Sequence, residues 1–141
     1  MADFKGWSRT NFFKVRKDKK TEFMRWVRSM GLGLSTRDGK RGGYEYCLHA
    51  TGGDGWPGYD PASDQGDEVS GFDQQISRFL APGSIAVMVE AGAEGTAYVG
   101  GNAVAVDHRG ESVHVSLIDS IMDNAARKWP KAKISRPSYG G

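Results

Sequence analysis

Cys47 and His49 carry the most reactive side chains in the sequence. They stand two apart in Tyr44 to Ala50, a segment that reads as a strand, so both leave the same face. A thiol and an imidazole so placed invite comparison with a nucleophile and its base. Thiolate catalysis also needs a group that orients the base and a site for the oxyanion, and no stretch of the sequence supplies either. The favoured reading is a half-buried cysteine beside a hydrogen-bonded histidine. A constellation of Cys47, His49 and Glu90 is the enzymatic alternative.

Nucleotide and metal chemistry have weaker claims. Gly53-Asp54-Gly55-Trp56-Pro57-Gly58 fits G-x-G-x-x-G in form. Such a loop holds a dinucleotide only when it opens into a helix whose amides meet the pyrophosphate. Here Trp-Pro fills the spacer, and the chain runs on into Asp60, Asp64, Asp67 and Glu68, whose charges repel phosphate. Those acids lack the D-x-[DN]-x-[DN]-G spacing of a calcium loop. His108 and His114 flank a hairpin, and with a two-residue turn at Arg109-Gly110 they face opposite sides of the sheet and cannot share a metal. A single cysteine excludes an internal disulfide and a cysteine-rich zinc site. No G-x-S-x-G, H-E-x-x-H or phosphate-loop motif occurs. The sequence predicts no catalytic residue, no metal and no cofactor. Binding becomes the function to look for.

Charge marks two candidate surfaces. The net charge of +2 conceals a basic first third, with 12 Lys/Arg against 5 Asp/Glu in residues 1–51. Residues 52–95 reverse this, with 1 against 8. The acidic, glycine-rich segment 51–69 combines Asp54, Asp60, Asp64, Asp67 and Glu68 with Trp56 and Tyr59. Carboxylates steer encounter with a basic target and aromatic residues anchor it, so this segment is the first candidate interface. It is expected to be mobile alone and fixed on a partner. The alternative is a basic corner of Lys14, Arg16, Lys17, Lys19, Lys20, Arg25 and Arg28, with Trp7, Phe12 and Phe13 nearby. Phosphate binding needs such a patch, and single strands add aromatic stacking.

The elements that position these residues read as α+β. A strand over Ser8 to Val15 precedes a helix with Phe23, Trp26, Val27 and Met30 on one side, capped by Asp18 or Thr21 and closed by Gly31. Leu32 to Thr36 and Tyr44 to Ala50 form a hairpin, with Tyr44, Tyr46, Leu48 and Ala50 inward. A second helix starts from Ser70-Gly71-Phe72-Asp73 and buries Phe72, Ile76, Phe79 and Leu80. Three strands follow: Ile85 to Glu90, Ala97 to His108 with a bulge at Gly100-Gly101, and Glu111 to Ser116. A two-residue turn at Arg109-Gly110 sets Val106 opposite Val113 and Val104 opposite Val115. Ser116 caps a third helix with Leu117, Ile121, Met122, Ala125 and Trp129 inward. The order β-α-β-β-α-β-β-β-α is a ferredoxin-like core plus an added hairpin and helix, helices on one face of a mainly antiparallel sheet. One domain covers residues 1–129, and 130–141 is a basic, loosely held tail. Neither a signal peptide nor a membrane-length apolar run is present, so the expected setting is cytoplasmic. Oligomeric state is not fixed by these features.

Two stretches also resemble a family of small proteins encoded by phages, plasmids and their bacterial hosts. The first is Ser8-Arg9-Thr10-Asn11-Phe12-Phe13-Lys14-Val15 followed by Phe23 and Trp26, similar to an S-R-T-N-[FY]-F-[KR]-V opening with F-x-x-W on a helix. The second runs from Val87 through Glu90-Ala91-Gly92-Ala93-Glu94, Tyr98 and Ala103 to Val106, ending at Val115-Ser116-Leu117-Ile118-Asp119. It resembles the family's E-V-G-A-E…A-x-A-V…V-S-L-x-D-I half, with Ala91 as a departure. Gly55-Trp56-Pro57 matches a mid-chain glycine-Trp-Pro segment. The resemblance implies a context more than a chemistry: a mobile-element protein that blocks a host defence or regulatory complex, as anti-CRISPR inhibitors do. The implied partner is a host protein or ribonucleoprotein, with nucleic acid as the alternative.

Overall fold

Phe23, Trp26, Val27 and Met30 recur at helical spacing, and that period organises the first third of the fold. In the computed structural model, which describes residues 4–40, 42–50, 56, 71–94 and 98–137, they are the buried side of α1 (Lys20–Ser29). A turn of 3-10 helix, Lys17–Lys19, leads into it. Gly31 follows at φ +68°, a left-handed turn that glycine enters without a Cβ clash. The expected cap at Asp18 or Thr21 is not made. Arg16 and Lys19 occupy the cap positions, and neither side chain bonds the helix amides. Asp18 pairs with Arg16 at 3.8 Å instead.

The strands are β1 (Phe4–Thr10), β2 (Leu32–Asp38), β3 (Tyr44–Ala50), β4 (Ala86–Glu94), β5 (Tyr98–Val106) and β6 (Ser112–Ser116). The other helices are α2 (Phe72–Ser77) and α3 (Leu117–Lys128). One antiparallel sheet holds the strands in the order β2-β3-β1-β4-β5-β6. β3 lies between β1 and β2, so the β1-α1-β2 unit is split, and β4 returns on the far side of β1. This is the expected ferredoxin-like core, with β5, β6 and α3 added beyond β4. The fold is α+β.

The core lies between the sheet and α1 and α2. Phe23 is its centre, with the rings of Phe13, Trp26, Tyr46 and Phe79 between 5.3 and 6.1 Å away. Tyr46, Leu48, Ala86, Met88 and Val106 form the sheet side of the same cluster. Trp26 meets its polar need by donating its indole N–H to Gln75 Oε1 at 3.1 Å.

Several expectations fail, each for a local reason. The first strand stops at Thr10 because Asn11 interrupts the ladder. Its side chain donates to the Ile85 carbonyl and accepts from the Val87 amide. Phe13 and Val15 then reach Tyr46 and Leu80 through single bridges. Gly100 and Gly101 form no bulge, since β4 and β5 pair without a break from Glu94↔Tyr98 to Ala86↔Val106. The second helix is capped by Gly71 with no side-chain bond, and Ser70 lies outside the described residues.

The β5–β6 register differs by one residue. The loop holds three residues rather than two, with Gly110 at φ +85° and the Asp107 amide bonded to the Glu111 carbonyl. Asp107 Oδ1 accepts from the amides of Arg109 and Glu111 at 2.9 Å each. A three-residue loop closed by a left-handed glycine is a standard alternative to the two-residue turn. Val106 therefore pairs with Ser112, Ala105 with Val113 and Ala103 with Val115. A one-residue slip turns a strand over. Val113 and Val115 leave the core side and are exposed. The helix that follows is rotated with the strand: Ser116 caps α3 as expected, but Ile118 is its buried residue, and Leu117, Ile121 and Trp129 face solvent.

Candidate binding surfaces

The seven cations of the basic corner separate into two groups. Lys14, Arg16, Lys17 and Lys20 line one cleft of about 610 Å³, closed by Tyr44, Gly42-Gly43 and Ala81-Pro82. The chain reaches this geometry because the Lys14 amide is held by Ser84 Oγ and the Arg16 amide by the Phe79 carbonyl. Val15 is thereby buried between a half-buried Lys14 and an exposed Arg16. Asp18 is the one carboxylate among the lining residues. Lys14, Lys17 and Lys20 make no ion pair among the described residues. Lys19 pairs with Glu22 at 3.4 Å, and Arg25 and Arg28 project from the outer side of α1, away from the cleft lining.

Tyr44 was expected inward and is 57% exposed at the rim of this cleft. It stands at the first position of β3, past the end of the helix layer that covers Tyr46 and Leu48. Gly42 and Gly43, at φ +85° and +77°, leave the opposite wall bare, with nothing within 4 Å of where a Cβ would sit. Neither feature is visible in charge counting. The glycine pair was legible only as a turn.

The Cys47, His49 and Glu90 set does not converge. Register places Cys47 and His49 on the sheet face opposite the helices, beside Arg9, whereas Glu90 shares the helix face with Met88. The Cys47 thiol donates to the Thr10 carbonyl at 3.2 Å and meets the Arg9 guanidinium at 3.5 Å. His49 lies across Gly33, where any Cβ would overlap its ring. Among the described residues no group of three His, Cys, Asp or Glu side chains is placed to hold a metal.

Of the acidic segment, only Trp56 lies within the described residues; Asp54, Tyr59, Asp60, Asp64, Asp67 and Glu68 lie outside them. Trp56 is not a free anchor. Its ring stacks on Phe72 at 4.8 Å, and its amide donates to Glu90 Oε2 at 3.1 Å. The indole extends the core because Phe72, at the start of α2, presents a flat ring that Trp26 covers on its own account at 5.4 Å.

A third surface was missed by sequence reasoning. On the sheet face opposite the helices, register aligns Trp7 with Ala91 and Gly101, and Val89 with Ala103 and Val115. Val87, Ala105 and Val113 form the next row. Trp7 and Val113 are each 70% exposed, and Val89, Val99 and Val115 are exposed too. Val89, Ala91, Gly101, Ala103, Val115 and Leu117 surround a depression of about 240 Å³, with Glu90 and Asn102 completing its lining. The signal was present as apolar residues at consecutive positions from Ala103 to Val106, which a sheet exposes on both faces.

Compared with family models, curated proteins and solved structures, the chain matches none.

Proposed function

We propose that the protein is a non-enzymatic binding protein that takes single-stranded nucleic acid into the basic cleft, and that through it a mobile element engages a host ribonucleoprotein complex. The observation that supports this reading is the cleft of Lys14, Arg16, Lys17 and Lys20, in which three lysines lack a counter-charge among the described residues. Bases gathered at the start of a helix oppose its macrodipole, which costs about 0.3–1 kcal/mol for each charge near the terminus. An arrangement that spends stability in this way is relieved by an anion. Phosphates are the anions that come in a row, and Tyr44 at the rim offers a ring on which a base can stack. The cleft is bare on its glycine side, so a strand can pass through it without displacing side chains.

The test is fluorescence anisotropy with labelled single-stranded DNA and RNA at graded salt, paired with a pulldown from host lysate with and without nuclease. Binding should weaken with salt, with a log–log slope near −0.7 for each phosphate neutralised. Capture of the host complex should depend on its nucleic acid. If no strand binds and capture survives nuclease, the acidic 51–69 segment replaces the cleft as the interface, and the protein blocks a basic protein surface instead.

A further inference from the structure

The geometry points to a second copy of this chain as the occupant of the open sheet face, with Trp7 of each copy seated in the depression of the other. This surface is separate from the basic cleft, and the inference stands or falls without it.

Three observations lead there. First, the centre of the face formed by β4, β5 and β6 is uncharged: Val89, Ala91, Gly101, Ala103, Val113 and Val115 alternate outward. Among the described residues charge stands only around them, at the Lys5 and Arg9 positions of β1 and at Asp107 and Glu111 by the β5–β6 loop. An apolar centre inside a charged border is the anatomy of an interface whose middle is read by shape and not by charge. The complement must itself be flat and apolar. Second, the face has the right size. Strands about 4.8 Å apart and five to nine residues long, at about 3.4 Å for each residue, give roughly 500 Å² of flat area for β1, β4, β5 and β6. The flat area alone lies in the upper part of the ~300–600 Å² range of a monomer's largest patch, and side-chain relief raises it towards the ~800 Å² per partner of a stable interface. Third, the face carries both a knob and a hole. Trp7 projects from β1 with 70% of its surface exposed, beside Ala91, which lines the depression. At ~30 Å³ per water the 240 Å³ depression has room for about eight waters, more than an indole displaces.

A knob and a hole side by side on one surface are what a two-fold axis requires. In an isologous interface residue i meets residue j, and j meets i. An axis passing between Trp7 and the depression places each indole over Ala91, Ala103 and Val115 of the other copy. The two sheets then pack face to face, about 10 Å apart.

Sedimentation equilibrium of the full chain over a wide concentration range tests this, with circular dichroism to verify folding. The expected result is a monomer–dimer equilibrium. Trp7→Ala and Val89→Asp should each weaken it by at least about tenfold while leaving the spectrum unchanged. Ala91→Trp is the sharper variant. It adds apolar surface, so general stickiness predicts tighter association, whereas filling the hole predicts a weaker dimer. A monomer at every concentration would overturn the inference. So would a dimer indifferent to Trp7→Ala, or one tightened by Ala91→Trp. A dimer broken only by Val113→Pro in the edge strand β6 would do the same, since it would mean that edges pair and faces do not.

Discussion

The helix-covered face of the sheet and its open face are built from the same strands, yet they carry residues of different size. On the covered face Tyr46, Leu48, Met88 and Val106 are large, fully enclosed and locked among the aromatic residues of α1 and α2. On the open face β4 and β5 offer Ala91, Ala93, Gly101, Ala103 and Ala105, small side chains that build no volume of their own, with valines and Trp7 standing above them. Large residues fill a space that the fold itself closes. Small ones leave a flat surface. Within the open face, a further division follows the strand order. The β2–β3 side is polar, with Arg37 paired to Glu45 at 2.9 Å and laid over the Phe12 ring at 4.1 Å. The β4–β6 side is not.

The largest effect that can break this comparison comes from its two aromatic extremes. Phe23→Ala should destabilise the fold by about 3–5 kcal/mol, because the cavity opens at the centre of the core. Trp7→Ala, measured by urea denaturation of dilute protein, should stay within ~0.5 kcal/mol of wild type. A cost for Trp7 approaching that of Phe23 would mean that the open face is covered even in dilute solution. Next comes the cleft. Reversing Lys14, Lys17 and Lys20 together to Glu should abolish strand binding at moderate salt. Neutralising them to Gln should flatten the log–log salt slope by about 2, from ~0.7 for each lost phosphate contact. Lys19→Gln and Arg25→Gln, outside the cleft, should change it little.

A smaller effect tests the turn that decides which valines belong to which face. Gly110→Ala should cost about 1–2 kcal/mol, from the left-handed backbone. The added Cβ would also lie 2.8 Å from Gln74 Oε1, a side-chain end that can move aside. If the variant instead gains stability by thermal melting, the loop is not in the three-residue form and Val113 and Val115 return to the core side. The smallest expected effect lies in the C-terminal region. The Arg136 hydrogen bond, with its charge, holds the Asp119 carboxyl below its ordinary 3.8. A lowered carboxyl contributes stability above its ordinary value and loses it as pH falls through the lowered one. Both groups are exposed, so the contribution is slight. Arg136→Ala should raise the Asp119 titration in NMR towards 3.8 and leave the melting temperature at neutral pH almost unchanged.

Local chemistry made much of the fold legible. The α1 stripe, the Gly31 stop, the β2–β3 hairpin and the Phe72, Ile76, Phe79, Leu80 face stand where the residue pattern puts them. The split β-α-β arrangement followed from element order. Where the sequence misled, two local alternatives differed by one residue. Arg109-Gly110 suits a two-residue turn as well as a three-residue loop, and only the Asp107 side chain accepting two amides favours the longer one. That single residue carried Val113, Val115, Leu117, Ile121 and Trp129 out of the core.

The candidate surfaces divide along the same line. The amino-acid order alone determined that positive charge gathers between Lys14 and Arg28 and negative charge between Asp54 and Asp73, because charge counts need no coordinates. Tertiary structure alone decided which of those charges share a cleft. Lys14, Arg16, Lys17 and Lys20 meet Tyr44 and the Gly42-Gly43 turn because the Lys14 and Arg16 amides are tied to the distant Ser84 hydroxyl and Phe79 carbonyl. It also decided that Cys47 and Glu90 lie on opposite faces and that Trp56 is committed to Phe72. Periodicity says that a strand has two faces. Which of them the helices cover depends on register and on the path of distant segments, and those are properties of the assembled sheet.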